Sequence, residues 1–328
     1  MNARALDGHR RHARAVVGTI AITDEGWYSF LAEHPEVTEL NFWTPSARRS
    51  FRAPQFSPFL FKLRSPYNAI CGFAYFAQFS TLPDWLAWES FGLGNGCASF
   101  EEMRSRIARI RARIRYDEHT GSDEIGCIQL VSPTFFARDE WIPQPRDWQP
   151  RTQTPVKYDL ATGEGRRVWE SCLAHGASLA VPTLPSGLSL SEEPGPRYGA
   201  PRVVQPRLGQ ATFRIAVLEA YGRACAVTQE HSLPALESAH IRSYAENGPH
   251  EVCNGLLLRS DLHRLFDTGY VTVTAGLRFE VGARLREDYR NGRSYYPLQG
   301  TRLQVPIAEV HRPQREFLEW HNEHVFRG

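Results

Sequence analysis

The sequence predicts an α+β protein with two folded domains, and three observations support this prediction. The chain has 328 residues, roughly twice the ~150 residues of a common domain, and 42% of them are hydrophobic, which suits packed cores. Two proline-rich segments, 143–155 and 184–206, interrupt it. Strand-like and helix-like patterns alternate along the chain. We therefore expect a first domain over residues 1–150, a proline- and glycine-rich linker with a short helix over 151–204, and a second domain over 205–328.

The first domain is predicted to be a small curved sheet with two or three helices. Residues 16–22 are typical of a short strand, and a helix is predicted over 24–34. Between residues 42 and 79, aromatic and branched residues are interrupted by prolines, as in short strands joined by turns. An amphipathic helix with an arginine-rich outer surface follows at 100–116, and strand character returns at 125–136.

The second domain contains the most informative pattern of the chain. A helix is predicted over 210–221 and ends at Gly222, a residue type that favours the left-handed conformation found after many helices. In the segment that follows, His240, Asn254 and His263 stand at intervals of 14 and 9 residues. A lone histidine is more often a capping or packing residue than a catalyst, so these intervals alone do not define a site.

Four motifs surround these three residues. R-x-G-Q-x-x-F-R occupies 207–214, A-H-I occupies 239–241, N-G-L-L-L occupies 254–258, and D-L-H-x-x-F-D-x-G occupies 261–269. In this whole string the second domain resembles HNH endonucleases of the ββα-metal fold, and in particular the C-terminal nuclease modules of McrA-like, modification-dependent restriction enzymes. The resemblance covers about residues 205–325 and implies hydrolysis of phosphodiester bonds.

The resemblance implies a role for each motif residue, and the chemistry of phosphodiester hydrolysis agrees with it. The reaction needs a base that activates water and a cation that offsets charge on phosphorus and on the leaving oxygen. His240 would be the base, since a neutral imidazole accepts a proton near pH 7. Asn254 would cross-link its loop and help to orient His240. His263 and Asp267, four residues apart on one helix face, would bind Mg²⁺ or another divalent cation such as Mn²⁺.

One position departs from the broader HNH pattern. Many members carry an aspartate as a metal ligand just before the first histidine, whereas this chain has Ala239. Glu237 lies two residues earlier on the same side of the predicted strand, and could take the place of that ligand directly or through water. The paired CxxC motifs of zinc-braced members are also missing, so no structural zinc is expected. Ala239 keeps open the alternative that the site is degenerate.

Other features are assigned to structural roles. The six cysteines are scattered and are expected to be buried, reduced thiols of a cytoplasmic protein. No apolar run reaches the roughly 20 residues of a membrane-spanning helix, and no secretory signal is expected, so no membrane partner is predicted. The remaining histidines of the second domain are assigned to surface or packing roles: His231, His250, His311, His321 and His324.

The first domain is characterised by its order of short strands and by its aromatic residues. In these features it resembles the PUA-like class, which includes the SRA and EVE readers of modified bases. Such readers extrude a base and hold it between aromatic faces. Trp85 and Trp88, three apart on a predicted helix, fit the core as well as a pocket, so Trp43 at the edge of a turn is the better candidate. The residues predicted to contact a base or its phosphates are Trp43, Tyr67, Asn41, Asn68, Arg48, Arg49 and Arg52.

The charge of the chain favours DNA binding through local patches rather than a large basic surface. The formal net charge is +2, although 36 of the 38 basic residues are arginines, an excess that codon bias in a G+C-rich genome also produces. We expect a divalent-metal-dependent endonuclease of the restriction type whose partner is double-stranded DNA with modified bases. Two alternatives stay open: a phage-defence nuclease acting on unmodified DNA, and a catalytically degenerate DNA-binding protein. Action as a homodimer on both strands also stays open.

Overall fold

The computed structural model of the chain describes residues 16–48, 50–113, 123–179 and 207–328. Strands and helices are mixed throughout these ranges, which confirms the predicted α+β class. In chain order the elements are β1 (Val17–Thr23), α1 (Glu25–Ala32), β2 (Glu39–Thr44), β3 (Pro58–Leu63), β4 (Ala69–Pro83), α2 (Asp84–Phe91), α3 (Phe100–Arg113), β5 (Glu124–Phe135), β6 (Ile142–Pro143), β7 (Val156–Asp159), α4 (Gly163–Leu179), α5 (Gln210–Ala220), β8 (Leu236–His240), β9 (Gly255–Arg259), α6 (Ser260–Asp267), β10 (Val271–Val273), β11 (Phe279–Val281), α7 (Arg284–Tyr289) and α8 (Arg315–His324). None of the helices in the described ranges is long and apolar enough to cross a membrane.

The strands β1 to β7 form one mixed sheet. Its order is β2-β5-β4-β3-β1-β7, and β6 pairs with β4. β1 and β3 run parallel, whereas the pairs β1–β7, β2–β5 and β3–β4 are antiparallel. Every residue of β3 is buried. This follows from its composition, because apart from Lys62 the strand contains only proline, phenylalanine and leucine.

Two compact units divide the chain, and each is built from segments that are distant in sequence. The first unit comprises the described residues within Met1–His34, Ala53–Phe76 and Ser132–Gln205. The second comprises those within Pro35–Arg52, Ala77–Val131 and Pro206–Gly328. The first unit has its own core, which contains Ile20, Leu60, Ile70, Phe73, Phe136, Ile142, Trp148, Val168 and Cys172.

Part of the predicted 151–204 linker is folded and belongs to the first unit. β7 pairs with β1, and α4 buries Val168 and Cys172, which lie four residues apart on one helix face. The predicted short helix is present and longer than expected, whereas residues 180–206 lie outside the described residues. The predicted limits at 150 and 204 do not coincide with those of the compact units, because tertiary packing brings together segments that the sequence pattern keeps apart.

The second unit contains a helix that begins on a carboxylate from a distant strand. Glu39, the first residue of β2, accepts hydrogen bonds from the backbone amides of Ala211 and Thr212 at 2.9 and 2.8 Å. These amides lie in the first turn of α5, whose N-cap residue, Gly209, has no side chain to offer. Glu39 therefore satisfies free amides of the helix and places a negative charge at the positive end of its dipole.

A pair of strands and one helix carry the motif residues of this unit. β8 and β9 are antiparallel, with Ala239 opposite Leu256 and His240 opposite Gly255. Helix α6 begins directly after β9 and packs on both strands, so the order of the three elements is ββα. The antiparallel pair β10–β11 follows, and α8 packs on β10.

Candidate active site

A cleft of about 830 Å³ opens in the second unit. Glu237 and His240 line it from β8, and His263 and Asp267 line it from α6. Phe213 of α5 contributes an aromatic wall. The structure therefore brings together the four side chains that the sequence predicts for proton transfer and metal binding.

Side chains alternate along β8, so that successive residues face helix α5 and helix α6 in turn. Ser238 and His240 face α5, where the Ser238 hydroxyl donates to a backbone carbonyl at 2.8 Å. His240 stacks on Phe213, with ring centroids 3.9 Å apart and an angle of 14° between the planes. Glu237 points the other way, and its Oε2 lies 2.7 Å from Nδ1 of His263 on α6. One strand thus presents an imidazole to one side and a carboxylate to the other.

The half-buried ring of His240 is held in its neutral form. Burial disfavours the charged imidazolium and lowers the pKa of His240 to about 4. The positive charges that His250 and His263 can carry act in the same direction. The ring is therefore neutral at pH 7 and able to accept a proton.

His250 is a residue of the site that the sequence pattern does not reveal. Its Nδ1 lies 3.0 Å from Nε2 of His240, and its ring stacks on Tyr244 at 4.7 Å with an angle of 9°. Burial lowers the pKa of His250, although the charge of Glu39 acts in the opposite direction. The sequence pattern assigns His250 to a surface or packing role and therefore does not predict this contact with His240. The sequence offers one indication of this contact, which is that His250 lies in the short loop between the A-H-I and N-G-L-L-L motifs.

His263 lies between two carboxylates. Its Nδ1 is 2.7 Å from Glu237 Oε2, and its Nε2 is 3.2 Å from Asp267 Oδ2. Among the described residues, no three His, Cys, Asp or Glu side chains converge as a preformed metal cage. Mg²⁺ does not require such a cage, since it keeps several waters and binds through one or two carboxylates together with phosphate oxygens. Carboxylate and imidazole are the donor types present.

Asn254 is fully buried and closes the loop between β8 and β9. Its Oδ1 accepts from the Arg242 amide at 2.9 Å, and its Nδ2 donates to the carbonyls of Arg242 and Pro249 at 2.9 and 3.0 Å. Gly248 comes so close to this corner that a Cβ would lie 1.9 Å from the Arg242 carbonyl oxygen. These contacts fix the chain on the N-terminal side of His250.

His321 on α8 has the packing role predicted for it. It is 2% exposed and stacks on Phe266 with ring centroids 3.7 Å apart. Its Nδ1 lies 2.9 Å from Thr272 Oγ1, and its Nε2 lies 3.1 Å from the Phe266 carbonyl. Burial lowers the pKa of His321 to about 4. The neutral ring thereby joins α8 to both α6 and β10.

Several predicted reader residues take part in the packing of the second unit. Trp43 packs on its core, and Nε1 of the ring donates to the Asn95 carbonyl at 3.0 Å. Asn41 is fully buried, and its Nδ2 donates to Asn95 Oδ1 at 2.9 Å, so the prediction that it contacts a base edge is wrong. Trp85 and Trp88 pack against the same core, as the alternative interpretation expects.

The other predicted reader residues lie at the surface or outside the described ranges. Arg48 and Arg52 are exposed in the second unit, whereas Arg49 lies outside the described residues. Tyr67 and Asn68 belong to the first unit, where Asn68 is exposed and the Tyr67 hydroxyl donates to a glutamate at 2.7 Å. Because the residues are divided between the two units, a common base pocket stays a prediction.

Comparison with known protein families decides the class of this site. Residues 225–274 match the family described as HNH endonuclease. This segment is an HNH endonuclease module. It spans β8, β9 and α6 and includes His240, Asn254 and His263, so the nuclease expected from the sequence motifs is confirmed.

The chain that carries the HNH module is also similar to solved structures, at low identity. One is the ASCH protein from Zymomonas mobilis, with 16% identity and a TM-score of 0.31 over 47% of this chain and 94% of that chain. Another is the modification-dependent TagI restriction endonuclease, with 12% identity and a TM-score of 0.29 over 96% of this chain and 86% of that chain. Among curated proteins, none matches the chain in sequence.

Proposed function

We propose that the protein is a cytoplasmic, divalent-metal-dependent endonuclease of the restriction type that cleaves double-stranded DNA carrying modified bases. The observation that carries the proposal is the pairing, in one cleft, of a neutral His240 with a His263 that lies between two carboxylates. These two groups correspond to the two requirements of phosphodiester hydrolysis, a base for water and donors for a cation.

His240 would take the proton from the attacking water. Its lowered pKa keeps the ring neutral, and its stacking on Phe213 fixes the plane in which the lone pair points. A base held in this way loses little conformational freedom when the substrate arrives, which lowers the barrier of the chemical step.

Glu237, His263 and Asp267 would hold the divalent cation, which when bound offsets the charge that develops on the phosphate and on the leaving 3′ oxygen. Glu237 supplies a carboxylate that Ala239 lacks, on the side of β8 that faces α6. Its contact with His263 favours an active site over a degenerate one. The oxygen-rich donor set fits Mg²⁺ or Mn²⁺.

Arginine side chains of the second unit would contact the DNA backbone. Arg214 lines the cleft, and its guanidinium lies 3.0 Å from Glu89 Oε1. A phosphate that enters the cleft can compete for this guanidinium, since its planar fork suits phosphate oxygens. Arg48 and Arg52 are exposed in the same unit and would hold flanking phosphates.

The aromatic surface of the first unit supports base reading. The rings of Tyr67 and Trp141 are 5.1 Å apart, and the Arg138 guanidinium lies 5.1 and 5.2 Å from their centroids. Aromatic and guanidinium faces stack on nucleic-acid bases. An HNH module contacts mainly the backbone, so discrimination between modified and plain DNA would come from other parts of the chain.

A digest of DNAs with different modifications tests the proposal. Plasmid DNA and phage DNAs that carry different cytosine modifications are incubated with the protein, with and without Mg²⁺. We expect cleavage of at least one modified DNA, loss of cleavage with EDTA, and weak cutting of plain DNA at low salt. Equal cutting of modified and plain DNA would favour the phage-defence alternative, and no cutting of any DNA would favour a DNA-binding protein. Linear rather than nicked plasmid would support a homodimer.

A variant of the predicted reader pocket tests modification dependence separately. Trp43→Ala should reduce the preference for modified DNA by removing a stacking face worth about 1–3 kcal/mol. Trp43→Phe keeps a stacking face and is the matched control. Preference is measured as the ratio of initial rates on modified and plain DNA. An unchanged ratio in a folded Trp43→Ala protein would remove Trp43 from the pocket.

A further inference from the structure

His240, which lines the cleft, contacts a second imidazole, that of His250, and each of the two rings stacks on an aromatic ring. Nε2 of His240 lies 3.0 Å from Nδ1 of His250. His240 stacks on Phe213 at 3.9 Å, and His250 stacks on Tyr244 at 4.7 Å. The planes of the two imidazoles make an angle of 63°. The short distance and the inclined planes fit a hydrogen bond between ring edges.

Because the pKa values of both His240 and His250 are lowered, both rings are neutral at pH 7, and this determines how many protons lie between them. Two neutral imidazoles can share only one N–H, so one ring donates and the other accepts. If His250 donated, it would use the lone pair of His240 Nε2, and the proton of the His240 ring would sit on Nδ1. His240 would then have no lone pair for water. If His240 donates, its Nδ1 keeps a lone pair and can act as the base.

We propose that His250 is a positioning residue of the nuclease, which accepts the Nε2–H of His240 and thereby fixes the tautomer in which Nδ1 of His240 is the base. This inference rests on the proposed nuclease function. A carboxylate or a backbone carbonyl commonly fixes the tautomer of a functional histidine. In this chain a second imidazole does so.

The proton balance of the step explains why a neutral acceptor is useful. When Nδ1 of His240 takes a proton from water, the ring becomes an imidazolium and the hydroxide oxygen forms a bond to phosphorus. The bond between phosphorus and the 3′ oxygen breaks, and the leaving oxygen takes a proton from solvent water. The hydrogen bond from Nε2 to His250 then becomes charge-assisted and stronger. A carboxylate in the same place would add a fixed negative charge near the incoming phosphate, which His250 avoids.

The loop around His250 holds it in this position. Asn254 Nδ2 donates to the carbonyl of Pro249, the residue directly before His250. Gly248 leaves no room for a side chain at the same corner. Asn254 therefore acts on His240 through the backbone next to His250. We expect the effects of replacing Asn254 and His250 to be less than additive, since both disturb one contact.

The experiment compares wild type, His250→Ala and His250→Asn on the most readily cleaved DNA at saturating Mg²⁺. The asparagine amide oxygen can stand near the position of Nδ1 and accept the same N–H. We expect His250→Ala to lower kcat by roughly 10- to 100-fold, as for other partners that orient a functional histidine, with little change in KM for DNA. His250→Asn should recover most of the loss, and added imidazole should restore part of the alanine variant's rate. His231→Ala, at an exposed position, is the matched control.

The outcomes separate this inference from the proposed function. A wild-type kcat in His250→Ala overturns the inference and leaves the nuclease function intact. Equal losses in both His250 variants without rescue by imidazole show a packing role and also overturn it. Failure of the wild-type protein to cleave any DNA overturns the proposed function, and the inference with it. Thermal unfolding of each variant identifies misfolding; where the alanine variant is unfolded, the rate of a folded asparagine variant decides.

Discussion

His240 and His263 belong to one motif and line one cleft, yet their surroundings differ in every respect that matters for chemistry. His240 is packed between an aromatic ring and a second imidazole, and burial removes its charge at pH 7. Both nitrogens of His263 face carboxylates instead. Neighbouring rings favour a neutral base, whereas neighbouring carboxylates create a place for a cation. The residues around a histidine, rather than the histidine itself, assign its chemistry.

The largest effect is expected from removing the imidazole of His240, the proposed base. His240→Ala should lower the cleavage rate by roughly 10²- to 10⁴-fold, the usual contribution of an acid–base group. DNA binding, measured by gel shift in Ca²⁺, and the melting temperature should change little, because the role proposed for His240 is in the chemical step. Wild-type cleavage by this variant would show that another group activates water.

Replacing His263, a proposed cation ligand, should instead change how the cleavage rate depends on the metal concentration. His263→Ala should raise the Mg²⁺ concentration for half-maximal rate by at least the roughly 10- to 100-fold that losing a partner of a metal ligand costs. A titration of initial rate against Mg²⁺ measures this shift in both proteins. An unchanged midpoint would mean that His263 does not bind the cation. The carboxylates around His263 would then not give it a role in metal binding that His240 lacks.

His321 adds a third case, a buried histidine with a structural role. Its pKa is lowered from the ordinary value of about 6.5 to about 4, so between these values the unfolded chain binds a proton that the folded chain does not. The free energy of unfolding should therefore fall as the pH falls, by about 2 kcal/mol between pH 7 and pH 5 for this residue.

Urea unfolding at both pH values measures this loss. His321→Gln, whose side chain does not titrate, should lack that part of the pH dependence. An equal pH dependence in wild type and variant would show that His321 is protonated at pH 5 in the folded protein.

The smallest effect concerns Glu237, the carboxylate proposed to replace the metal ligand that is missing at Ala239. Glu237→Gln keeps a hydrogen-bond acceptor for His263 but removes the charge, so the Mg²⁺ midpoint should rise by roughly tenfold. Glu287→Gln, at an exposed position on α7, is the matched control. If both variants respond to Mg²⁺ like wild type, Glu237 only orients His263, and the cation depends on fewer protein ligands.

Local patterns predict on which side of its strand or helix each motif residue lies. Glu237 and His240 lie on opposite sides of one short strand, and His263 and Asp267 lie four apart on the helix that follows. Period 2 in a strand and 3.6 in a helix decide which side each residue occupies. His250 could not be found in this way, because its contact with His240 depends on how the loop closes.

Contacts between distant segments explain what the sequence does not predict. Asn41 lies two residues before Trp43 on β2, on the same side of the strand, and looks equally available in the sequence. In the structure it is fully buried and hydrogen-bonded to Asn95 from another segment. The strand β7 directly follows the proline-rich segment 143–155, and it becomes part of the sheet only because β1 offers an edge. Burial and edge pairing are properties of the assembled chain, so neither local propensity nor spacing contains them.

The carboxylate of Glu39 at the start of α5 has a consequence for the inheritance of this nuclease. The helix supplies Phe213, which stacks on His240, yet the amides of its first turn donate to a residue 172 and 173 positions earlier in the chain. A recombination event that joined residues 207–328 to a different N-terminal partner would leave these amides without an anion. The new partner would have to bring a carboxylate of its own. The start of α5 therefore depends on β2, and the part of the chain that would have to be inherited together is larger than the motif.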